Sequence, residues 1–288
     1  MSVEYRNLTS RITNHDDLVE AARLANKTQL LLRSLGGLLP GMKSSHLEQT
    51  RTVLEIGCGP GVWALELART YPQMQVVAVD SSSTMISYAR NMLAKEQPRE
   101  NLDYQLVPTC VGPFPFEEAS FDLVNAQFVS KFLTVNEWPE FLSSCRSLLR
   151  PGGLLRLTEY ELTLSNSSAQ EELNRLFVQA MRRAGLSSSV SDRHLGFLCD
   201  LEPLLYCAGF QECSTVSHHI NYSFGAPAHE EWKKDCFLFA KSAILPFLVK
   251  WGVATQEQVD TLYHQQYIEL NLPTFHGVIP FMTIWGCK

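Results

Sequence analysis

The stretch "LEIGCGPGVWALELA", Leu54 to Ala68, sets Gly57, Gly59 and Gly61 at alternate positions between an apolar run and a helical pattern. A strand that enters such a glycine cluster and leaves it as a helix makes a tight turn whose amides face the crevice at the strand's carboxyl end. Something small and polar binds there. The dinucleotide fingerprint G-x-G-x-x-G would need a glycine at position 62, where the chain has Val62, so nicotinamide binding is the weaker reading. The spacing is E-x-G-x-G-x-G, beginning at Glu55.

Outward from this turn the chain repeats strand then helix: "TVLEIG", "VWALELART", "QVVAVD", "STMISYARNML", "LDYQLV", "FDLVNAQF", a helix from about 135 to 149, then "GGLLRLTEY". Such alternation predicts an α/β fold, a parallel sheet with helices on both faces. Val53 to Ile56 and Val76 to Val79 read as near-continuous apolar runs, as central strands covered on both sides do. Before them, Leu18, Ala21, Ala22, Ala25, Leu32 and Leu35 form one helical stripe over 15–35, opened by Asn14 with Asp16 and Asp17 in the first turn. After 160 the pattern is mainly helical, with β-like runs around 210–223 and 278–285. Between these runs lies a helical insertion of roughly 50 residues, longer than an ordinary connection, with a capping-box start at Thr255 and Gln258. The expected organisation is an N-terminal helical arm over 1–48, a binding core over 49–160, and a segment 161–288 that completes the sheet and carries a substrate cap at about 225–275, all in one domain.

Composition narrows the partners. The 288 residues are 45% hydrophobic, enough for a large core, and the formal net charge of −6 with no Lys/Arg cluster argues against nucleic acid. No window reaches the 18 or so apolar residues that cross a membrane, and "MSVEYRNLTSRITNHDD" lacks a signal-peptide core, so the expectation is a cytoplasmic protein with no membrane partner. Eight cysteines lie scattered without a C-x-x-C pair, and no metal site is spelled out.

Glu55, Gly57, Gly59 and Gly61 resemble the first motif of class I S-adenosylmethionine-dependent methyltransferases, small-molecule type. Further motifs follow in order: Asp80 at the end of "VVAVDSS", "PFPFEEASFDLV" from Pro113 to Val124, "LLRPGGLLRLTE" from Leu148 to Glu159, and the terminal "FMTIWGCK". The resemblance covers about residues 50–160 and the last strand. It implies a Rossmann-like doubly wound, mostly parallel seven-stranded sheet with an antiparallel last strand, S-adenosylmethionine as cofactor and S-adenosylhomocysteine as product. It also implies a cofactor site of Glu55, Gly57, Gly59, Gly61, Asp80, Ser81, Cys110, Val111 and Gln127, with Asp80 on the ribose. Cys110 stands where the family often has an acidic residue facing the adenine.

A methyl sulfonium is an activated donor, so alignment and exclusion of water suffice and no catalytic signature is required. The candidate bases are His218, His219 and Tyr160, with Glu159 and Tyr222 beside them; a neutral imidazole is best suited near pH 7. Tyr5, Phe128 and Lys131 are candidate substrate residues, Lys131 for an acidic group. The leading expectation is O-, N- or C-methylation of a small molecule, in specialised metabolism. The alternatives are a cofactor-binding protein that catalyses a rearrangement or cyclisation, a macromolecule methyltransferase, and, third, a nicotinamide dehydrogenase. "NAQF" at 125–128 resembles the N-P-P-Y loop of amino-group methylases but lacks both prolines. The acceptor and the oligomeric state are not encoded in any motif.

Overall fold

The structure is a computed structural model that describes residues 12, 17–95 and 99–288. Strand β1 (Thr52–Ile56) runs into the glycine turn and out into α3 (Val62–Thr70), preceded by α1 (Leu18–Ser34) and α2 (Ser44–Gln49). Then come β2 (Gln75–Asp80), α4 (Ser83–Ala94) and β3 (Leu102–Leu106), followed by β4 (Phe121–Gln127), α5 (Trp138–Leu148) and β5 (Leu149–Tyr160). The sheet order begins β3-β2-β1-β4-β5, all parallel. The chain therefore builds outward from β1 on one side and then jumps back to lay β4 on the other. That reversal opens a crevice at the carboxyl ends of β1 and β4, the place where ligands bind in open α/β sheets.

The remaining strands are β6 (Leu164–Ser165), β7 (Gln211–Asn221) and β8 (Gly277–Cys287). β8 is antiparallel to both β5 and β7 and lies between them. β6 pairs with Val278 and Gly277 beyond the end of β5, opposite β7, and so continues the β5 edge. The sheet is thus seven strands wide with one antiparallel member, as the resemblance implies. Apolar cores cover both faces: Trp63, Leu67 and Ile86 pack on one, and Phe141, Leu142, Cys145 and Leu205 on the other.

Helices α6 (Ser168–Arg183) and α7 (Phe197–Cys207) lie between β6 and β7. Between β7 and β8 come α8 (His229–Phe239), a π-helical turn (Ala240–Ile244), α9 (Leu245–Lys250) and α10 (Gln256–Leu270). Thr255 and Gln258 form the expected capping box at the start of α10. The cap is not the insertion alone. Phe177, Met181 and Leu173 of α6 share a core with Phe247, Leu248 and Val259, while Leu30 and Leu31 of α1 share another with Trp232 and Leu270.

Helix α1 differs from its sequence reading in two ways. Asp17 is the N-cap, accepting from the Val19 amide at 2.8 Å, rather than a first-turn residue; Asn14 and Asp16 lie outside the described residues. The buried face includes Glu20 and Arg23, whereas Leu18 of the apolar stripe is 64% exposed. The reason is a partner that periodicity cannot show. Arg23 binds Glu20 through two bonds of 2.7 Å and Asp235 of α8 at 2.5 Å, and its guanidinium lies 4.8 Å from the Phe239 ring centre. A buried charge is tolerated where it is paired and stacked in this way.

Candidate functional site: two cavities that meet at Phe128

The glycine turn is pinned to the neighbouring strand, because the Val79 carbonyl accepts from the amides of Gly57 and Cys58 at 2.8 and 2.9 Å. Gly57, Gly59 and Gly61 all take left-handed backbone, with φ of +71°, +53° and +78°. Asp80 ends β2 and clamps the turn: one carboxylate oxygen accepts from Gly59 N–H at 2.8 Å and the other from Ser82 N–H at 2.9 Å. Ser82 is the N-cap of α4. These elements border a cavity of about 950 Å³, counting its open mouth. Glu55, Gly57, Gly59, Asp80, Ser81, Cys110, Val111 and Gln127 all line it, together with Cys58, Trp63, Leu24 and Thr28.

Gly61 does not line it. A Cβ there would stand 2.5 Å from the Tyr104 ring and 2.7 Å from Ala89, and the Tyr104 hydroxyl donates to the Gly61 carbonyl at 2.6 Å. The third glycine lets α3 approach β3 and α4. A Cβ on Gly59 would meet nothing within 4 Å, so that position faces open space.

Burial dominates the electrostatics. Glu55 is held well above the usual carboxylate range by burial, against the pull of the Ala64 backbone and Arg156, and its Oε2 has no hydrogen-bond partner. The Cys110 thiol is pushed up to about 12 by burial and then by Asp80, so it is a neutral group.

At the carboxyl end of β4 the chain turns through Phe128, whose φ of +58° and ψ of 34° are left-handed, a strained conformation for a bulky residue. Its amide donates to Thr158 O at 2.8 Å. The following 3₁₀ turn, Val129–Lys131, is held by Glu159: Ser130 donates its amide at 3.0 Å and its hydroxyl at 2.6 Å to the two carboxylate oxygens. Burial pushes Glu159 up to about 7 against those hydrogen bonds.

The Phe128 ring is common to the walls of two cavities. The second, of about 780 Å³ counting its open mouth, lies under the cap and is lined by Tyr160, Phe177, Trp232, Phe239, Ile279 and Phe281, with Lys27, Gln170, Asn174, Asp235 and Gln266 among its polar members. Phe128 meets Tyr160 and Phe281 edge to face at 5.8 and 6.1 Å. Lys131 lines the first cavity, and its Nζ lies 5.2, 5.2 and 5.4 Å from the ring centres of Phe128, Tyr160 and Phe239. Burial, then Lys27 and Arg23, lower the Lys131 ammonium to about 7.

Not every expected residue comes to this junction. His219 is exposed, and His218 is packed against Phe281 across β7 and β8 and lowered by burial and Arg156. Neither lines either cavity. The reason is topological: β8 enters between β5 and β7 and carries the histidines one strand further from β4. Tyr222 is buried in the core beside Phe275 and Trp232. Glu159 spends both oxygens on Ser130 and lines neither cavity, whereas Tyr160 does border the cap cavity, its hydroxyl raised by burial. Tyr5 lies outside the described residues.

Sequence reasoning missed Lys27, Asp235, Gln170 and Gln266. The Glu20, Arg23, Lys27 spacing on α1 puts three charges on one helical stripe, which was the available signal. The cap residues follow no motif.

Residues 53–153 match the family described as methyltransferase domain. The chain is 32% identical over 145 residues to the methyltransferase str2 of Strobilurus tenacellus, covering 50% of this chain and 47% of that protein. It is 30% identical over 125 residues to the tRNA N(3)-methylcytidine methyltransferase Mettl2 of Drosophila melanogaster, covering 43% and 38%. The aligned segments thus span half or less of these curated relatives. Among solved structures, phosphoethanolamine N-methyltransferase 2 of Haemonchus contortus, in complex with S-adenosyl-L-methionine, superposes with a TM-score of 0.52 at 18% identity, covering 100% of this chain and 60% of that one. The YcgJ protein of Bacillus gives 0.51 at 15% identity, covering 85% and 99%. The family match lies on the glycine turn and its neighbouring strands, so over residues 53–153 the chain carries a methyltransferase domain.

Proposed function

We propose that this protein transfers a methyl group from S-adenosylmethionine to a small-molecule acceptor held under the helical cap. The observation that carries the reading is the shared Phe128 wall: a cavity bordered by the glycine turn and Asp80 adjoins a mostly apolar cavity in the cap. The residues present suit the cofactor. Gly59 opens onto free space, Glu55 keeps an orphaned carboxylate oxygen, and Asp80 stands at the end of the adjacent strand.

When bound, S-adenosylmethionine supplies a methyl group on a sulfonium, which needs no further activation. Asp80 would hold the ribose diol by charge-assisted hydrogen bonds, Glu55 would face the ammonium of the amino-acid end, and Cys110 and Val111 would border the base. Phe128 and Lys131 stand between that ligand and the acceptor. Holding two reactants in line lowers a barrier by roughly 7 to 11 kcal/mol, which is the main task left to the protein. The net charge of −6 favours a small molecule over a nucleic acid.

Calorimetric titration with S-adenosylmethionine, S-adenosylhomocysteine and NAD tests the cofactor. Binding of both sulfur ligands but not NAD is expected, weakened by at least about tenfold in Asp80→Ala, the equivalent of about 1.4 kcal/mol. Acceptor mass then separates the chemistries: a gain of one methylene unit supports transfer, and an unchanged formula supports a rearrangement. Failure of both sulfur ligands to bind would overturn the reading.

A further inference from the structure

Three cations, Arg23 and Lys27 of α1 and Lys131 of the turn after β4, gather around the Phe239 ring, and they are not equally partnered. Arg23 takes Glu20 through two bonds and one oxygen of Asp235, and Lys27 takes the other Asp235 oxygen at 3.3 Å. The Lys131 ammonium makes neither a hydrogen bond nor an ion pair among the described residues. The carboxylates nearest in sequence to the junction are already engaged. Glu159 accepts twice from Ser130, and Glu161 accepts from the amides of Leu195 and Gly196. Arg23 and Lys27 each have a carboxylate in contact, whereas the Lys131 ammonium has none and is caged by Phe128, Tyr160 and Phe239 where the two cavities meet.

A half-buried ammonium with no anion in contact is costly, and part of that cost becomes affinity when an anion arrives. The cap wall shows two further unmet groups. Trp232 Nε1 and Gln266 Oε1 are buried without partners, each in a side chain 2% exposed, and both residues line the cap cavity. One is a donor and one an acceptor, so a ligand with polar groups away from its anion is better suited than a plain hydrocarbon. The aromatic faces around them favour a flat body.

We propose that the acceptor is a flat, largely apolar organic acid, bound through its oxyanion to Lys131. The inference rests on the acceptor lying in the cap cavity, as proposed above, and it names the substrate class. An acceptor of this kind would give Lys131 the contact partner that Arg23 and Lys27 already have. The lowered ammonium supports the idea by linkage. Pairing with an anion restores the proton to Lys131, so binding above pH 7 draws a proton from solution. The groups that face Lys131 are Arg23, Lys27 and Glu20 of α1, Asp235 of α8, and Glu159 and Tyr160 of β5.

The test is calorimetry on the full chain at pH 8, in two buffers of different ionisation enthalpy, with benzoate, cinnamate and 2-naphthoate each set against its neutral amide. At least one acid is expected to bind tenfold or more tightly than its amide, with uptake approaching one proton. Lys131→Met should abolish both the preference and the uptake, while Lys131→Arg, always charged, should keep the preference without the uptake. Absence of any acid preference, or a preference that survives in Lys131→Met, overturns the proposal. Because these titrations contain no S-adenosylmethionine, they remain informative if the cofactor fails to bind.

Discussion

Gly59 and Gly61 sit two positions apart with similar left-handed backbone, yet their surroundings assign them different work. At Gly61 a methyl group would collide with Tyr104 and Ala89, both fixed in the core, whereas at Gly59 it would project into the cavity. Gly61→Ala should therefore destabilise the protein by about 2 to 4 kcal/mol, the sum of overpacking and left-handed strain. Gly59→Ala should cost only about 1 to 2 kcal/mol from strain while sharply weakening S-adenosylmethionine binding. Urea unfolding and calorimetry on the two variants separate the effects. Equal loss of stability in both would contradict the assignment. The motif spacing made all three glycines legible, but the roles diverge because β3 and α4, distant in sequence from the turn, close on only one of them.

Among the elements, β5 controls the turn after β4 through Glu159. The carboxyl is raised from its usual value to about 7, mainly by burial, so between about pH 4.5 and 7 the folded state binds more protons than the unfolded state. The stability it contributes is fully present below about 4.5 and is lost as pH rises through 7. Glu159→Gln keeps an acceptor for Ser130 and removes the titration. The variant is expected to gain stability relative to the parent as pH rises from 5 to 8, read as the difference between their thermal midpoints. A constant difference would show that Glu159 does not titrate in this interval. Lys131 acts oppositely above neutrality, because its lowered value makes the folded state bind fewer protons than the unfolded one from about 7 to 10.5. The comparison is therefore confined to pH 8 and below.

Across the whole molecule, the cap has cores of its own and is tied to the arm by the Arg23–Asp235 contact between α1 and α8. Arg23→Met would leave Glu20 unpaired and Asp235 with Lys27 alone, and breaking a buried pair by removing one partner costs about 3 to 5 kcal/mol. The loss should be local. Hydrogen exchange is expected to accelerate in α8 and α10 while the amides of β1 and β4 keep their protection. Uniform acceleration would mean that cap and sheet unfold as one unit. No helix among the described residues is long and apolar enough to cross a membrane.

The α/β alternation, the glycine turn and Asp80 at the end of the next strand were readable from the chain, because each depends on residues a few positions apart, whereas the antiparallel last strand was implied by the resemblance alone. A strand, a tight turn and a helix start are local decisions of backbone sterics and side-chain period. Only the tertiary structure decided that β8 enters between β5 and β7, taking His218 and His219 away from the crevice. It also decided that Arg23 and Glu20 belong on a buried face, and that Lys131 is enclosed by rings from three elements. Periodicity reports which side of an element is covered, whereas the identity of the covering side chain is set by chain crossings over many tens of residues. The cofactor side of this protein is built on the first kind of information and the acceptor side on the second.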